Sequence, residues 1–380
     1  MSTNKRNIMI ISYIMFGYMG IAFLSQGALK LEIAESFGIT TSKLQYLFTI
    51  FSTASMIMVI SNKFLLERVP LKIEVLVSSF SILVGTLLMI VTSNTNILML
   101  GLVLGGFGIG IYISLGSYLI INTFIEDRNR KLNFLHFSYS FSAVITPMIA
   151  ALLIGLNFSW SAVYLLLLLF VVVVIFLGLK VDFSEITPKK ERDQVAVGGR
   201  WDLKVYLAAF LLFLYVFSEM IFSYWIVEYM MSKGTTGGEA KISLSIFWLF
   251  IAGGRLLVGK YGNKFKISDI VLTLLGIAFV SYAFLMFLEG VVAIYFVVGV
   301  LGLGFSSLYP SIVSLGTEGR KNVSPSLMTF IMMSGSIGGI VYSPVSGWVN
   351  SNYTIETTMG VGVITTLMML STTVFLKLKK

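Results

Sequence analysis

Apolar residues form twelve long runs along the chain, and short polar segments separate them. Each run holds about 20 residues or more, the length that a helix needs to cross the ~30 Å hydrocarbon core of a bilayer. The runs lie near residues 7–30, 44–66, 73–93, 96–124, 132–155, 160–180, 203–231, 241–261, 269–288, 291–316, 323–348 and 355–376. We therefore predict an all-α membrane protein with 12 transmembrane helices.

The composition agrees with this pattern and excludes several classes of protein. Of the 380 residues, 57% are apolar and 12% are charged, against roughly 45–50% and roughly 25% in soluble domains, so a soluble globule is excluded. The chain has no cysteine and a single histidine, His136, which excludes disulfides, thiolate nucleophiles and HExxH metalloprotease helices. We expect no cofactor, no bound metal and no enzymatic activity.

The net charge of +9 reports the orientation of the helices rather than a nucleic-acid partner. With a cytoplasmic N-terminus and a crossing at every run, 23 of the 27 Lys and Arg residues lie on the inner side. The four outer cations are Lys30, Lys43, Lys233 and Lys241. Because cytoplasmic loops of membrane proteins are rich in Lys and Arg, both termini are predicted to be cytoplasmic.

The longest polar segment, residues 181–202, divides the chain into two parts with six apolar runs each. We interpret it as a cytoplasmic linker between an N-terminal six-helix bundle, residues 1–180, and a C-terminal six-helix bundle, residues 203–380.

The two parts show signs of duplication. A shift of 194 residues places Gly302 and Gly304 on Gly108 and Gly110. Together with the equal number of runs, this match favours two pseudo-symmetric bundles that meet around a site near the middle of the membrane.

One acid lies far from the ends of its run. Glu219 is about midway between Lys204 and Lys233 in the seventh run. An acid at that depth costs ~2.5–3.5 kcal/mol on insertion scales, so it is a functional candidate that could take up and release a proton during transport. The alternative is a structural acid bonded to a neighbouring helix. Tyr215 and Phe222, at i−4 and i+3, share its helix face.

Arg255 lies about five residues inside the predicted inner end of the eighth run. It could pair with an acid to form a gate, or extend its side chain to the inner interface. The adjacent Gly253 and Gly254 indicate a close approach of another helix.

Polar residues at helical spacing follow one face of the fifth run. They are Asn133, His136, Tyr139 and Ser140. Such a face is unfavourable against lipid, so it either lines a cavity or forms hydrogen bonds between helices. Gln26 in the first run and Asn122 in the fourth run are weaker candidates of the same kind.

Twelve runs in two similar halves with a basic linker resemble the major facilitator superfamily over essentially the whole chain. The segment NKFLLERVPLK between the second and third runs resembles the basic gating motif of that superfamily and retains Glu67 and Arg68 without its glycines. The resemblance implies a gating role for both residues. The C-terminal counterpart, GGRLLVGKYGNK, is closer to the motif and contains Arg255.

Three segments resemble the fucose/glucose/galactose:proton symporters of this superfamily. They are YVFSE with Trp225 downstream, GFSSLYPSIVSL in the tenth run, and RKLNFLHFSYSF in the fifth run. The resemblance places the acid of the symporter motif on Glu219 and puts His136 where the symporters have glutamine.

Two positions depart from the symporter pattern. The acid of their first span is Gln26 here, and the glutamate of their fourth span falls near Gly116 or Ser117. The segment RNRKLNFLHFSYSFSAVITPMIAALLI also resembles TsgA-like transporters, which lack the first-span acid as well.

We expect a monomeric secondary transporter of the bacterial plasma membrane that moves a small polar solute, a sugar, together with H⁺ carried by Glu219. Its partners are the solute, the proton and the lipid bilayer, and nucleic acid is excluded. The residues expected to bind the solute or support Glu219 are Tyr215, His136, Tyr139, Gln26, Asn122, Asn133 and Trp225.

Two alternatives remain open from the sequence. The first is proton-driven efflux of amphiphilic compounds, since 19 Met and 30 Phe residues suit an adaptable apolar cavity. The second is a membrane enzyme or a sensor that does not transport, although the sequence contains no GxSxG, phosphate-loop or metal-cluster motif. With no ATP site, an ion or solute gradient must supply the energy.

Overall fold

The computed structural model describes residues 2–66, 68–124, 128–184, 186, 201–318 and 325–378. Within these ranges the regular structure is helical. The α-helices are α1 (Thr3–Ala28), α2 (Lys30–Ser36), α3 (Thr41–Leu65), α4 (Leu71–Val91), α5 (Thr95–Thr123), α6 (Arg128–Gly155), α7 (Trp160–Lys180), α8 (Leu203–Ser232), α9 (Gly237–Tyr261), α10 (Ile267–Leu285), α11 (Val291–Phe305), α12 (Leu308–Thr317), α13 (Pro325–Asn352) and α14 (Ile355–Leu378).

Eleven helical segments of the described chain are long and apolar enough to cross a membrane. They match the predicted runs except the eleventh, which falls on α13, a helix of 28 residues. At about 1.5 Å per residue, such a helix is longer than the ~30 Å hydrocarbon core. The all-α membrane class is therefore confirmed and twelve crossings fit the fold, whereas the side on which the termini lie stays a prediction.

The tenth predicted span is confirmed as Val291–Thr317, and the structure adds that its helix is interrupted. α11 ends at Phe305 and α12 begins at Leu308, so the run is interrupted at Ser306 and Ser307. The physical reason is Pro310, whose nitrogen has no hydrogen to donate to the carbonyl oxygen of Ser306 four residues earlier.

The chain folds into two compact units, Met1–Lys190 and Glu191–Lys380. Residues 185 and 187–200 of the predicted linker lie outside the described residues. α1 to α7 belong to the first unit, and α8 to α14 belong to the second.

Glycines allow equivalent helices to pack closely in the two units. The close pairs are Gly106 with Phe51 and Gly108 with Ile82 in the first unit, and Gly302 with Phe247 and Gly304 with Ala278 in the second. Residues 106 and 302, like 51 and 247, are 196 positions apart. The internal repeat is therefore in register at a shift of 196, and the shift of 194 favoured by glycine matching was two residues short.

We expect Gly302→Ala to destabilise the second unit. A Cβ atom at this position would collide with the carbonyl oxygen of Phe247, and overpacking of this kind costs about 1–3 kcal/mol. The measurement is the apparent melting temperature of the purified protein in detergent. Gly276→Ala is the matched control, because no atom lies within 4 Å of an added Cβ there. Equal melting temperatures for the two variants would contradict the packing argument.

Candidate functional site

Glu219 lies in the interior of the second unit, on α8, with 6% of its surface exposed. The helix forms because a long apolar run follows Asp202, whose side chain accepts a hydrogen bond from the backbone N–H of Val205 at 3.2 Å and caps the first turn. α8 packs against α9, α12, α13 and α14, so this acid is surrounded by protein.

Tyr215 lies one turn before Glu219 and is fully buried. Its hydroxyl donates a hydrogen bond to Oε1 of Glu219. The same hydroxyl is 3.3 Å from the carbonyl oxygen of Phe305, at the end of α11. Since a hydroxyl has one hydrogen, Tyr215 can direct it to the carboxyl group or to the main chain of the interrupted helix.

Arg255 stabilises the interruption between α11 and α12. Its Nε donates to the carbonyl oxygen of Ser306 at 2.8 Å, and this is the oxygen that Pro310 leaves without its helical partner. A Cβ on Gly254 would collide with the side chain of Ser306, so the glycine is what lets α9 approach this closely.

The charge of Arg255 also acts on Glu219 and on the hydroxyl of Tyr215. Arg255, predicted as a gating residue at the inner end of its helix, therefore belongs to the same group as Glu219. A buried carboxylate is tolerated when a cation and hydrogen-bond donors compensate it, and this group supplies both.

Aromatic rings enclose the group. The ring centroid of Tyr309 is 6.2 Å from that of Tyr215, at an interplanar angle of 72°, and that of Phe305 is 5.7 Å away. Phe222, on the Glu219 face of α8, contacts Phe247 at 4.2 Å between centroids. Trp225, another predicted site residue, is fully buried in the same unit.

The predicted residues of the first unit do not form one cluster. Gln26 is 2% exposed and lines a cavity of ≈30 Å³ with Tyr18 and Tyr164. His136 is exposed and contacts the edge of Phe16 at 5.4 Å between centroids. Phe16 and Gln26 are ten residues apart on α1, or about 15 Å along the helix, so His136 and Gln26 are separate.

The other polar candidates of the first unit have local partners. Tyr139 packs against an apolar cluster that includes Phe16, and Ser140 donates to the carbonyl oxygen of His136 at 3.4 Å. The amide of Asn122 donates to the carbonyl oxygen of Tyr118, one turn earlier, at 2.8 Å.

The predicted gating pair is described only in part. Arg68 is exposed just after α3, and Glu67 lies outside the described residues, as does the side chain of Asn133. No group of three or more His, Asp or Glu side chains in the described chain could hold a metal ion.

Sequence reasoning missed the main-chain part of the site. The carbonyl oxygens of Phe305 and Ser306 are polar groups at membrane depth, and a hydropathy pattern does not record them. Pro310, near the middle of an apolar run, is the signal that could have identified them.

Comparison with known proteins gives a consistent result for the whole chain. A family model described as the Major Facilitator Superfamily matches residues 9–343. Protein TsgA of Salmonella schwarzengrund is 26% identical over 351 residues, which cover 91% of this chain and 88% of that protein. Protein TsgA of Salmonella arizonae is 25% identical over the same length and coverage.

Solved structures share the fold at low sequence identity. A mutant form of the nucleoside transporter NupG is similar with a TM-score of 0.78 and 12% identity, covering 98% of this chain and 99% of that one. A D-xylose-proton symporter is similar with a TM-score of 0.72 and 13% identity, covering 95% of each chain. At these identities the similarity establishes the fold alone.

Proposed function

Because the chain belongs to the Major Facilitator Superfamily, we propose that it moves a small polar solute, of the sugar class, across the plasma membrane by alternating access, driven by protons that Glu219 carries. Members of this family are multi-pass membrane transporters and not enzymes. The observation that carries the proposal is one buried acid that accepts a hydrogen bond from Tyr215 and feels the charge of Arg255, which in turn donates to an interrupted helix.

The hydrogen bonds of Tyr215 link the protonation of Glu219 to the interruption between α11 and α12. When Glu219 is charged, Tyr215 donates to it and Arg255 balances its charge. When Glu219 takes up a proton, that charge disappears and the Tyr215 hydroxyl is free to donate to the carbonyl oxygen of Phe305. The bond between Tyr215 and the break therefore depends on the protonation of Glu219. Interrupted helices of this kind form the binding sites of many transporters.

The chemistry of the site supports a polyhydroxylated solute. Tyr309 and Arg255 are only partly buried, and they offer a hydroxyl and a guanidinium beside aromatic rings. Hydroxyl groups of a sugar can donate to a carboxylate and accept from a guanidinium. Two structural neighbours are a nucleoside transporter and a D-xylose-proton symporter, and the solutes they are named for are of comparable polarity.

A ligand screen tests the substrate class. We expect one or more sugars to raise the melting temperature of the purified protein, because a ligand that binds only the folded state stabilises it. The same compound, added to proteoliposomes that contain a pH-sensitive dye, should move protons in the direction of the solute. Sugar binding without proton movement would contradict coupling, and no response to any sugar or related polar solute would contradict the substrate class.

One observation favours a second candidate, proton-driven efflux of amphiphilic compounds. A mostly apolar cavity of ≈390 Å³ lies between α1, α6 and α7 of the first unit, and Tyr13, Tyr18, Phe141 and Phe170 contribute to its lining. A pump-deficient bacterial host that expresses this protein would then tolerate toxic amphiphiles better than the same host with an empty vector. Unchanged tolerance across the panel would remove this candidate.

A further inference from the structure

Glu74 is a second buried acid that the proposed function does not use. It lies in the first turn of α4, where the hydropathy pattern suggests a residue at the membrane surface. In the structure only 3% of it is exposed. Neither carboxylate oxygen has a hydrogen-bond partner in the described part of the chain.

Two further buried polar side chains of the first unit lack partners in the described ranges. Asn62 on α3 is fully buried, and both polar atoms of its amide are without a hydrogen bond. Tyr118 on α5 has a buried hydroxyl without a hydrogen bond, and Glu74 acts on it electrostatically. Buried polar groups are nearly always bonded, so three such groups together need an explanation.

Helix packing places Asn62 and Tyr118 at the same level. α3 and α5 run in the same direction, because Gly106 meets Phe51 and Gly110 meets Ser55. Tyr118 lies eight residues beyond Gly110 and Asn62 lies seven beyond Ser55, which are similar distances at about 1.5 Å per residue.

The same argument places Glu74 beside Tyr118. α4 and α5 are antiparallel, and the hydroxyls of Ser79 and Tyr112 are 2.7 Å apart. Glu74 lies five residues before Ser79, and Tyr118 lies six residues after Tyr112, so both are displaced toward the same end by similar distances. Three helices of one unit therefore bring an acid, an amide and a phenol to one level.

Two lysines at this end of α4 and α7, Lys72 and Lys180, have contacts of their own. Lys72 donates to the carbonyl oxygen of Leu179 on α7 at 2.7 Å, and its charge also acts on Asp182. The backbone N–H of Ser184 donates to Asp182 and holds the pKa of that carboxyl below its usual range, so it stays charged and attracts Lys72. The ammonium of Lys180 lies 3.9 Å above its own helix neighbour, the ring of Phe176.

We propose that Glu74, Asn62 and Tyr118 form a buried site for a monovalent cation, either a proton on Glu74 or Na⁺ in its place. An ionised carboxylate buried without donors or a cation is strongly unfavourable. A proton neutralises it, and carboxylate, amide and phenol oxygens are ligands that hard cations accept. The site lies wholly in the first unit and does not depend on transport through Glu219.

The test is the melting temperature of the full-length purified protein at several pH values in a sodium-free buffer. If Glu74 holds a proton when folded and releases it on unfolding, the folded state binds more protons and its stability falls as the pH rises. We expect this fall to be smaller in Glu74→Gln, which is neutral at every pH, than in the wild type. Glu35→Gln is the matched control, because Glu35 is an exposed acid of the same unit.

A sodium arm separates the two cations. At alkaline pH, NaCl should raise the melting temperature of the wild type and not of Glu74→Gln if Na⁺ enters the site, with N-methylglucamine chloride as the salt control. A pH response without a sodium response identifies a proton site. Identical pH and sodium profiles for wild type and Glu74→Gln would overturn the proposal, whatever the transport activity of either protein.

A second variant keeps the test decisive if Glu74→Gln fails to fold. Tyr118→Phe removes only the hydroxyl beside Glu74 and should change the pH or Na⁺ dependence of the melting temperature. It should also shift the infrared carbonyl band of a protonated carboxyl group. An unchanged band and unchanged profiles would show that the three side chains do not share a cation.

Discussion

Replacing Glu219 with glutamine is expected to abolish uptake driven by a proton gradient while the protein remains folded. Glutamine has nearly the same shape and can still accept a hydrogen bond from Tyr215, but it can neither lose nor gain the proton. Arg255 then faces a neutral side chain in every step of the cycle. The measurement is solute accumulation in proteoliposomes with an imposed pH gradient, for which we expect a loss of at least about tenfold, equivalent to about 1.4 kcal/mol in the rate-limiting step.

Exchange of labelled for unlabelled solute is the informative companion measurement. Exchange needs only movement of the loaded transporter, so the glutamine variant should retain it. Glu289→Gln is the matched control, since Glu289 is an exposed acid of the same unit outside the helices. Full accumulation by Glu219→Gln would show that another group carries the coupling ion.

Replacing Arg255 with methionine is expected to lower both the free energy of unfolding and the transport rate. Adding Pro310→Ala to this variant is expected to restore part of the free energy of unfolding but not the transport rate. Methionine removes the donor to the carbonyl oxygen of Ser306 and the cation that acts on Glu219, a combined loss of about 3 kcal/mol. Alanine at position 310 supplies a backbone N–H that can bond to Ser306, so about 1 kcal/mol should return. The continuous helix no longer has the break that we assign to the cycle, so transport stays low.

A double-mutant cycle checks this coupling. The free energies of unfolding of the wild type, the two single variants and the double variant are measured in mixed detergent and dodecyl sulfate. Strictly additive values would mean that Arg255 and Pro310 do not share the Ser306 oxygen. Arg255→Lys is a useful control, because lysine keeps the charge and loses the planar geometry of the Nε donor.

Comparison of individual residues shows where the sequence was informative about the site. Glu219 could be identified because an acid amid apolar neighbours is costly wherever the helix packs. The i−4 spacing likewise predicted that Tyr215 would share its face. Arg255 was predicted either to pair with an acid in a gate or to extend to the inner interface. Its bond to the Ser306 carbonyl oxygen could not be predicted, because that oxygen is a main-chain group 51 residues away.

Glu74, in contrast, could not be identified as a buried acid from the sequence. Its position at the edge of an apolar run is compatible with a side chain that reaches the membrane surface. Only the packing of α3, α4 and α5 reveals that the side chain is buried and has no partner in the described chain. The register of the internal repeat also depended on the packing. Matching glycines along the sequence gave a shift of 194 residues, whereas the helix contacts give a shift of 196 residues.

The amino-acid sequence by itself determined the membrane class, the approximate positions of the spanning helices and the acid at mid-membrane. These properties depend on the free energy of transferring each segment from water to hydrocarbon, which is nearly independent of the other segments. The tertiary structure decided which polar groups meet: Tyr215 and Arg255 at the interrupted helix, and Tyr118 near Glu74. Such meetings depend on short-range contacts between segments distant in the chain, and a hydropathy pattern contains no information about them.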